Sequence, residues 1–121
     1  MVKALLDTNI LIDYLRGVPA ARAELRRYRQ KAISIISWME VLVGADATTE
    51  HGTRDFLQEF VLLAIDESIA ERAVTLRKAH RLKLPDAIIW GSAQVHSMLL
   101  VTRDGRSFPA DDPGVRIPYT A

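Results

Sequence analysis

Short apolar runs alternate along the chain with segments in which apolar residues recur at helical spacing. The runs predict five buried strands, at residues 2–6, 32–36, 61–65, 98–102 and 115–117. The segments between them predict helices, at residues 8–16, 20–30, 53–60, 67–82 and 85–95, with a further helix starting at residue 37. Strands separated by helices favour right-handed crossovers and a parallel sheet. The sequence therefore predicts an α/β fold, with a mostly parallel sheet of four to five strands sandwiched between helices.

Length, charge and cysteine content limit the classes of protein to which the chain can belong. A chain of 121 residues is about the size of one ordinary domain, so we expect residues 1–121 to form a single domain. Sixteen Lys and Arg against fifteen Asp and Glu leave a net charge of +1, so a nucleic-acid contact would need a local basic patch. The absence of cysteine excludes disulfides and thiolate zinc sites. With neither a secretory signal nor a membrane span in its pattern, we expect the protein to be cytoplasmic.

Four carboxylates lie close to predicted strand ends or helix starts. Asp7 follows the first strand, Glu40 lies in the first turn after the second, Asp86 lies in the first turn of a later helix, and Asp104 comes just past the fourth strand. Each has an ordinary explanation. Asp7 can be an N-cap, and Glu40 can complete a capping box with Ser37. Asp86 can favour a helix dipole, and Asp104 can belong to a turn.

The common placement of these acids favours a functional interpretation. In a parallel sheet the carboxyl ends of the strands share one edge, where ligands bind, so the four side chains would converge there. Converging carboxylates repel unless an arginine cluster, shared protons or a divalent cation lies between them. Because no His or Cys occurs in these segments, the oxygen ligands favour Mg²⁺ or Mn²⁺. An acidic magnesium cleft typically serves phosphoryl chemistry.

Four motifs carry a family resemblance. They are, in chain order, LLDTNILIDYL, ISWMEVLVG, LKLPDAIIWGSA and LLVTRDGRSF. With them the chain resembles the PIN-domain ribonucleases, and most of all the VapC-type toxins of bacterial and archaeal toxin–antitoxin pairs. The resemblance covers nearly the whole chain. It implies a three-layer α/β/α domain and a Mg²⁺- or Mn²⁺-dependent endoribonuclease, which hydrolyses RNA phosphodiester bonds with a metal-activated water.

The resemblance also implies roles for individual residues. Asp7, Glu40, Asp86 and Asp104 match the family's catalytic, metal-binding acids. A second group would shape the site or contact the substrate, namely Asn9, Thr102 and Arg103. Many relatives carry a further acid before the Phe of the last motif, where this chain has Ser107. This departure removes one candidate ligand, so the number of bound metals, one or two, stays open, and Asp104 should be less dispensable than in relatives that have both acids.

The partners implied by the resemblance are an RNA substrate, a small antitoxin protein and a second copy of the chain in a homodimer. An apolar stripe on the first helix is either a groove for the antitoxin or part of the core, and it consists of Leu11, Ile12, Tyr14 and Leu15. The arginine-rich segment 16–31 is either a phosphate-binding rim or a solvated helix face. Arg103 and Arg106 are placed to meet a scissile phosphate or to pair with a neighbouring carboxylate.

Other interpretations are weighed against the nuclease. A PIN-like module that binds RNA or a protein partner without cleavage is favoured by Ser107, whereas the four retained acids argue against it. A phosphatase with an aspartyl nucleophile needs a second Asp two residues after the first, where this chain has Asn9. A dinucleotide-binding domain needs a glycine-rich motif after the first strand, and none is present.

Overall fold

The computed structural model describes residues 2–120, in which strands and helices alternate along the chain. The strands are β1 (Lys3–Leu6), β2 (Gln30–Ser34), β3 (Val61–Leu63), β4 (Leu99–Val101) and β5 (Val115–Arg116). The helices are α1 (Thr8–Leu15), α2 (Pro19–Arg26), α3 (Ile35–Val43), α4 (Glu50–Leu57), α5 (Glu67–His80) and α6 (Leu84–Val95). No helix in this described part is both long and apolar enough to cross a bilayer.

The strands form one sheet in the order β3-β2-β1-β4-β5, and every neighbouring pair is parallel. The chain builds β2 and β3 on one side of β1 and then crosses over to build β4 and β5 on the other. Such a reversal is a topological switch point, beside which a crevice opens at the carboxyl ends of the strands. The predicted α/β fold, with a parallel sheet of four to five strands, is confirmed.

Alternation of side chains along β1 divides the core into two halves. Ala4 and Leu6 face one side of the sheet, where helices α1 to α4 cover them. Leu5 faces the other side and packs with residues of α5 and α6. On that second side Trp90 meets Phe108 edge to face, with ring centroids 5.9 Å apart. Because each face of the sheet is covered by helices, the molecule has the three layers that the family resemblance implies.

A close approach between α5 and α6 fixes the position of α6 on the sheet. A Cβ atom on Gly91 would lie 3.3 Å from the backbone nitrogen of Ala73 and 3.4 Å from the carbonyl oxygen of Ile69. Glycine therefore allows the two helix backbones to come nearer than a side chain would permit. This contact matters for the site, since the first turn of α6 carries Asp86.

Two helix boundaries near β2 differ from the prediction. Helix α2 ends at Arg26 rather than at residue 30, which belongs to β2. Helix α3 begins at Ile35 rather than at residue 37, because Ser34 Oγ accepts a hydrogen bond of 3.1 Å from the backbone nitrogen of Ile36. Ser34 is therefore the N-cap, and Ser37 is a buried residue inside the helix.

Candidate active site

Asp7 lies at the switch point, between the end of β1 and the start of α1. Its backbone nitrogen donates to the carbonyl oxygen of Val101 at 2.9 Å, which ties it to β4. Its Oδ1 accepts from the backbone nitrogen of Thr8 at 2.7 Å, so Asp7 is the N-cap of α1. Its Oδ2 accepts from Thr102 Oγ1 at 2.7 Å and from Asn9 Nδ2 at 3.3 Å. The carboxylate is thus buried and fixed by neutral donors.

Burial raises the pKa of Asp7 to about 6 from an ordinary value near 3.8. The hydrogen bonds from Thr102 and Thr8 act in the opposite direction, and the nearby charges of Asp86 and Glu40 raise the pKa further. The residue is only 4% exposed, so water screens these charges poorly. Asp7 is therefore a carboxylate that would gain strongly from a cation in the crevice.

Glu40 takes part in the same crevice rather than in a capping box. Because α3 starts at Ile35, Glu40 lies in the second turn and not, as predicted, in the first. Its Oε1 accepts a hydrogen bond of 2.7 Å from Thr8 Oγ1, and the Thr8 hydroxyl lies 2.8 Å from the hydroxyl of Ser37. The first residue of α1 therefore orients the Glu40 carboxylate toward the end of β1. The capping-box explanation for Ser37 and Glu40 is wrong.

Asp86 and Asp104 complete the set of acids from the other side of the sheet. Partial burial raises the pKa of Asp86, and the charges of Asp104 and Glu40 raise it further. Asp104 differs, because its Oδ1 accepts from the backbone nitrogens of Arg106 and Ser107, both at 3.1 Å. Partial burial acts to raise the pKa of Asp104, but these hydrogen bonds outweigh it and hold that pKa below its usual value. Asp104 is both a turn residue and a member of the acidic crevice.

All four predicted acids line a single open cavity of about 290 Å³, which we call the acidic cleft. None of the ion pairs formed among residues 2–120 involves any of the four. Of the two arginines that line the cleft, Arg103 is paired elsewhere and Arg16 is exposed. The alternative of an arginine cluster among the acids is therefore not what the structure shows.

The donor chemistry of the acidic cleft fits a hard divalent cation. Its candidate ligands are carboxylate oxygens supplied by four separate segments, a set that suits Mg²⁺ or Mn²⁺. The carboxylates stand apart, and within the described residues no three acidic or histidine side chains form a group that could hold a metal ion as they are placed. Like charges favour such spacing, so binding would require the side chains to move toward one another.

Two of the three second-group residues, Thr102 and Asn9, bond directly to cleft acids, whereas Arg103 pairs with an acid outside that set. Thr102 Oγ1 donates to Asp7 and accepts from the backbone nitrogen of Asp104 at 3.1 Å, so one hydroxyl joins two acids. Asn9 Oδ1 accepts from the backbone nitrogen of Arg103 at 3.3 Å. The Arg103 side chain pairs with Asp13, its Nε lying 2.7 Å from Oδ2. For Arg103 the structure therefore shows the pairing alternative, with a neighbouring carboxylate.

Residues outside the predicted set also belong to this network. Thr8 bridges the acidic cleft to α3, and its only sequence signal is its place between Asp7 and Asn9 in the first motif. Asp13 holds Arg103 and also accepts from Tyr119 Oη at 2.8 Å. The two contacts of Asp13 join residues 90 and 106 positions apart, so no local pattern could have indicated them.

The apolar stripe on α1 divides between the two roles considered for it. Leu11 is fully buried in the core. Tyr14 is half-buried and stacks on Phe56, with ring centroids 4.6 Å apart. Ile12 and the exposed Leu15 instead line an open groove of about 530 Å³ between α1, α3 and α4. Ile12 and Leu15 are the members of the stripe that this groove presents to a partner.

Comparison with known proteins agrees with the geometry. The family model for the PIN domain matches residues 4–110. The chain is 34% identical over 113 residues to Ribonuclease VapC10 of Mycobacterium tuberculosis, which covers 87% of this chain and 85% of that protein. A solved structure described as a toxin–antitoxin complex from Klebsiella pneumoniae matches with 48% identity and a TM-score of 0.93, over 98% of this chain and 100% of that one.

A third match, the crystal structure of FitAcB from Neisseria gonorrhoeae, has 27% identity and a TM-score of 0.76, over 95% of this chain and 97% of that one. These matches extend over nearly the whole sequence and include the four segments that supply the cleft acids. The predicted resemblance to VapC-type proteins is confirmed, and the chain belongs to the PIN-domain family.

Proposed function

We propose that this chain is a metal-dependent endoribonuclease that hydrolyses RNA phosphodiester bonds, with Asp7, Glu40, Asp86 and Asp104 as its catalytic acids. The observation that carries the proposal is the acidic cleft itself, where four carboxylates from separate segments converge and none of them forms an ion pair within residues 2–120. Similarity to a protein named as a ribonuclease supports the reaction class. Perturbed acids gathered in a crevice are typical of functional sites.

The acids would bind Mg²⁺ or Mn²⁺, which would neutralise charge on the scissile phosphate and lower the pKa of an attacking water. Asp7 is the most rigidly held of the four, because Thr8, Thr102 and Asn9 all donate to it. Asp86 approaches from the first turn of α6, Asp104 approaches from the loop after β4, and the two complete the ligand set. Glu40 is exposed and is oriented by Thr8, so its free oxygen can accept a hydrogen bond from the attacking water.

The biological setting follows from the solved relatives. A chain with 48% identity is part of a structure described as a toxin–antitoxin complex. We infer that this protein is likewise the toxin of a VapBC-type pair, held inactive by a small antitoxin and assembled as a homodimer. The groove lined by Ile12 and Leu15 has the apolar character that an antitoxin helix needs.

The test is cleavage of total RNA and transfer RNA by purified, antitoxin-free protein. Reactions with Mg²⁺, with Mn²⁺ and with chelator would be compared, alongside Asp86→Asn prepared identically. Glu71→Gln is a matched control, because Glu71 is an exposed acid on α5 outside the cleft. We expect metal-dependent cutting by the native protein and by Glu71→Gln, and its loss in Asp86→Asn.

The chemical groups at the ends of the RNA products give a second readout. Hydrolysis by water predicts 3′-hydroxyl and 5′-phosphate products, whereas attack by the ribose 2′-hydroxyl would leave a 2′,3′-cyclic phosphate. Cutting that persists in chelator, or that yields cyclic phosphate, would contradict the proposed mechanism. A folded protein that binds metal and RNA but cuts neither RNA pool would favour the alternative of a PIN-like module that binds without cleavage. Ser107, in the place of a further acid, is the sequence feature that favours this alternative.

A further inference from the structure

A band of basic side chains runs along the molecule away from the acidic cleft. Three neighbouring cavities share their lining residues there, since Arg22 and Arg26 line both the first and the second, and Lys31 lines both the second and the third. Lys3 and Arg29 also line the third. We call this surface the basic band, and all its members except the half-buried Lys31 are exposed.

The cations of the basic band are not neutralised by carboxylates. Within residues 2–120, no acid lies within ion-pair distance of any of the five. One carboxylate, Glu59, lines the second and third cavities without pairing to them. By contrast, four arginines elsewhere are paired to acids, namely Arg27, Arg54, Arg103 and Arg116. The overall charge of +1 therefore conceals a local excess of positive charge.

Aromatic rings, rather than acids, support two of these cations. The Arg22 guanidinium carbon lies 6.0 Å from the ring centroid of Tyr14, and Lys31 Nζ lies 6.0 Å from that of Phe60. Lys31 Nζ also donates to the carbonyl oxygen of Leu25 at 3.1 Å. Such contacts orient a cation without cancelling its charge. The side chains are thus placed in advance and keep their charge for an external anion.

The basic band lies at the edge of the sheet opposite the acidic cleft. Its third cavity is lined by Lys3, Gln30 and Val61, which are the first residues of β1, β2 and β3. The acidic cleft instead follows the carboxyl ends of the strands, at Asp7. The rise along β1 separates the two edges by roughly 13 Å, the length of four extended residues. A ligand that reached both would have to be a polymer that follows the surface of the domain.

We propose that the basic band is an exosite that binds the phosphate backbone of the RNA substrate while another part of the same molecule occupies the acidic cleft. The inference rests on the proposed ribonuclease function, because that function supplies the ligand. The cations are distributed along a band rather than converging on one point, which suits a chain of phosphates better than a small anion. The exosite adds affinity for long RNA and takes no part in the chemical step.

Binding is measured first, by fluorescence anisotropy in chelator with a labelled hairpin of transfer-RNA length. All proteins carry Asp86→Asn so that the RNA stays intact. Two double variants alter opposite ends of the band. The first combines Arg22→Gln and Arg26→Gln, and the second combines Lys3→Gln and Arg29→Gln. The matched control removes two exposed cations from α5, by Arg72→Gln with Lys78→Gln. Circular dichroism melts confirm that each protein is folded, and a band variant that fails to fold is replaced by its single substitutions.

We expect each band variant to bind RNA about tenfold or more weakly, and the control less than about twofold. The slope of log K against log salt should fall by about two in the band variants, one for each lost phosphate contact. In cleavage assays with Asp86 restored, the band variants should raise KM by a similar factor and leave kcat unchanged. Equal weakening in band and control variants, or a fall in kcat without a rise in KM, would overturn the exosite.

Failure of the exosite and failure of the ribonuclease are distinguishable. If the native protein cuts RNA and the band variants match the control, the exosite is wrong and the ribonuclease stands. If the native protein cuts no RNA but the band variants still lose affinity, the ribonuclease fails and the RNA-binding surface stands. Duplex DNA of the same length is the third arm. If it binds as tightly and with the same dependence on the band, the assignment to RNA is overturned in favour of a general polyanion surface.

Discussion

The two ends of helix α1 carry buried acids in opposite electrostatic settings. Asp13, near its carboxyl end, lies 2.7 Å from Arg103 Nε and accepts a hydrogen bond from Tyr119 Oη. Asp7, at its amino end, is held only by an amide and neutral side chains. Glu24 on α2 follows the pattern of Asp13. In both of these buried structural acids, Asp13 and Glu24, an arginine from the last part of the chain accompanies the carboxylate.

The environment of Glu24 shows what such pairing achieves. Arg116 donates to both of its carboxylate oxygens, at 2.7 and 3.1 Å, and Tyr28 Oη donates at 2.6 Å. Burial acts to raise the pKa of Glu24, but these donors hold it below its usual value. Burial, together with the hydrogen bond to Glu24, raises the pKa of Tyr28 to about 12. The contrast with Asp7, whose pKa rises to about 6, is that the fold pairs Asp13 and Glu24 with arginines but, within the described residues, forms no ion pair to Asp7.

The largest expected effect is a loss of RNA cleavage without a loss of stability when Asp7 is substituted. Asp7→Asn keeps the size of the side chain and removes the charge, so RNA cleavage should fall about a thousandfold or more. Loss of a poorly solvated charge should leave the free energy of unfolding at neutral pH equal to or above that of the native protein. Cleavage rates and urea denaturation of the same preparations check both parts. Full activity in Asp7→Asn, or its failure to fold, would contradict the distinction between Asp7 as a functional acid and the paired acids as structural ones.

The next effect is a pH dependence confined to the acidic cleft. The folded-state pKa of Asp7 lies above its unfolded value of 3.8, so the folded protein binds the extra proton and loses stability as pH rises from about 4 to about 6. A shift from 3.8 to about 6 corresponds to about 3 kcal/mol. Glu24 has the opposite sign, since its lowered pKa gives stability that is present above the ordinary value of 4.5 and is lost as the pH falls from there through the folded-state pKa.

Urea denaturation at a series of pH values, without divalent cations, measures this difference. Relative to Asp7→Asn, the native protein should lose about 2.5 kcal/mol of unfolding free energy between pH 4 and pH 7, because part of the full effect is already lost at pH 4. Parallel curves for the two proteins would show that the Asp7 carboxylate is not perturbed.

A smaller effect is expected at the paired acid. Glu24→Gln leaves the half-buried Arg116 without its buried, charged partner, so the free energy of unfolding should fall by about 2 kcal/mol. RNA cleavage at a temperature where the variant is folded should be unchanged. The control is Glu50→Gln, whose ion pair with Arg54 is exposed and should contribute less than about 1 kcal/mol. Equal losses of unfolding free energy in the two variants would show that the Glu24 pair contributes no more to stability than an exposed ion pair.

The sequence was sufficient to predict the acidic cleft, because that cleft follows from local rules. Asp7 comes directly after an apolar run, and parallel strands bring such positions to one edge. The same rules were less accurate where two serines competed to begin a helix. Ser34 caps α3 because β2 ends there, which leaves Ser37 buried and frees Glu40 to bond with Thr8. The four acids converge despite this shift of the helix start.

The paired acids could not be predicted in the same way. Glu24 and Arg116 are ninety-two residues apart, and Asp13 and Arg103 are ninety. Nothing in the local pattern marks either pair, since their contact depends on how α1 and α2 pack beside the last strand and the loop after β4. The resemblance to a family also directs attention to the cleft acids and says nothing of their partners.

The central claim is that the unpaired acids of the acidic cleft form the cation site. Its most direct test is a Mn²⁺ titration in which the electron paramagnetic resonance signal of the free ion measures binding. The native protein and folded Glu24→Gln should bind Mn²⁺ with equal affinity, because the paired acid plays no part in the acidic cleft. Asp7→Asn and Asp86→Asn should each bind at least about tenfold more weakly. Equal binding by all four proteins, or weaker binding by Glu24→Gln alone, would contradict the assignment of the unpaired acids as the cation site.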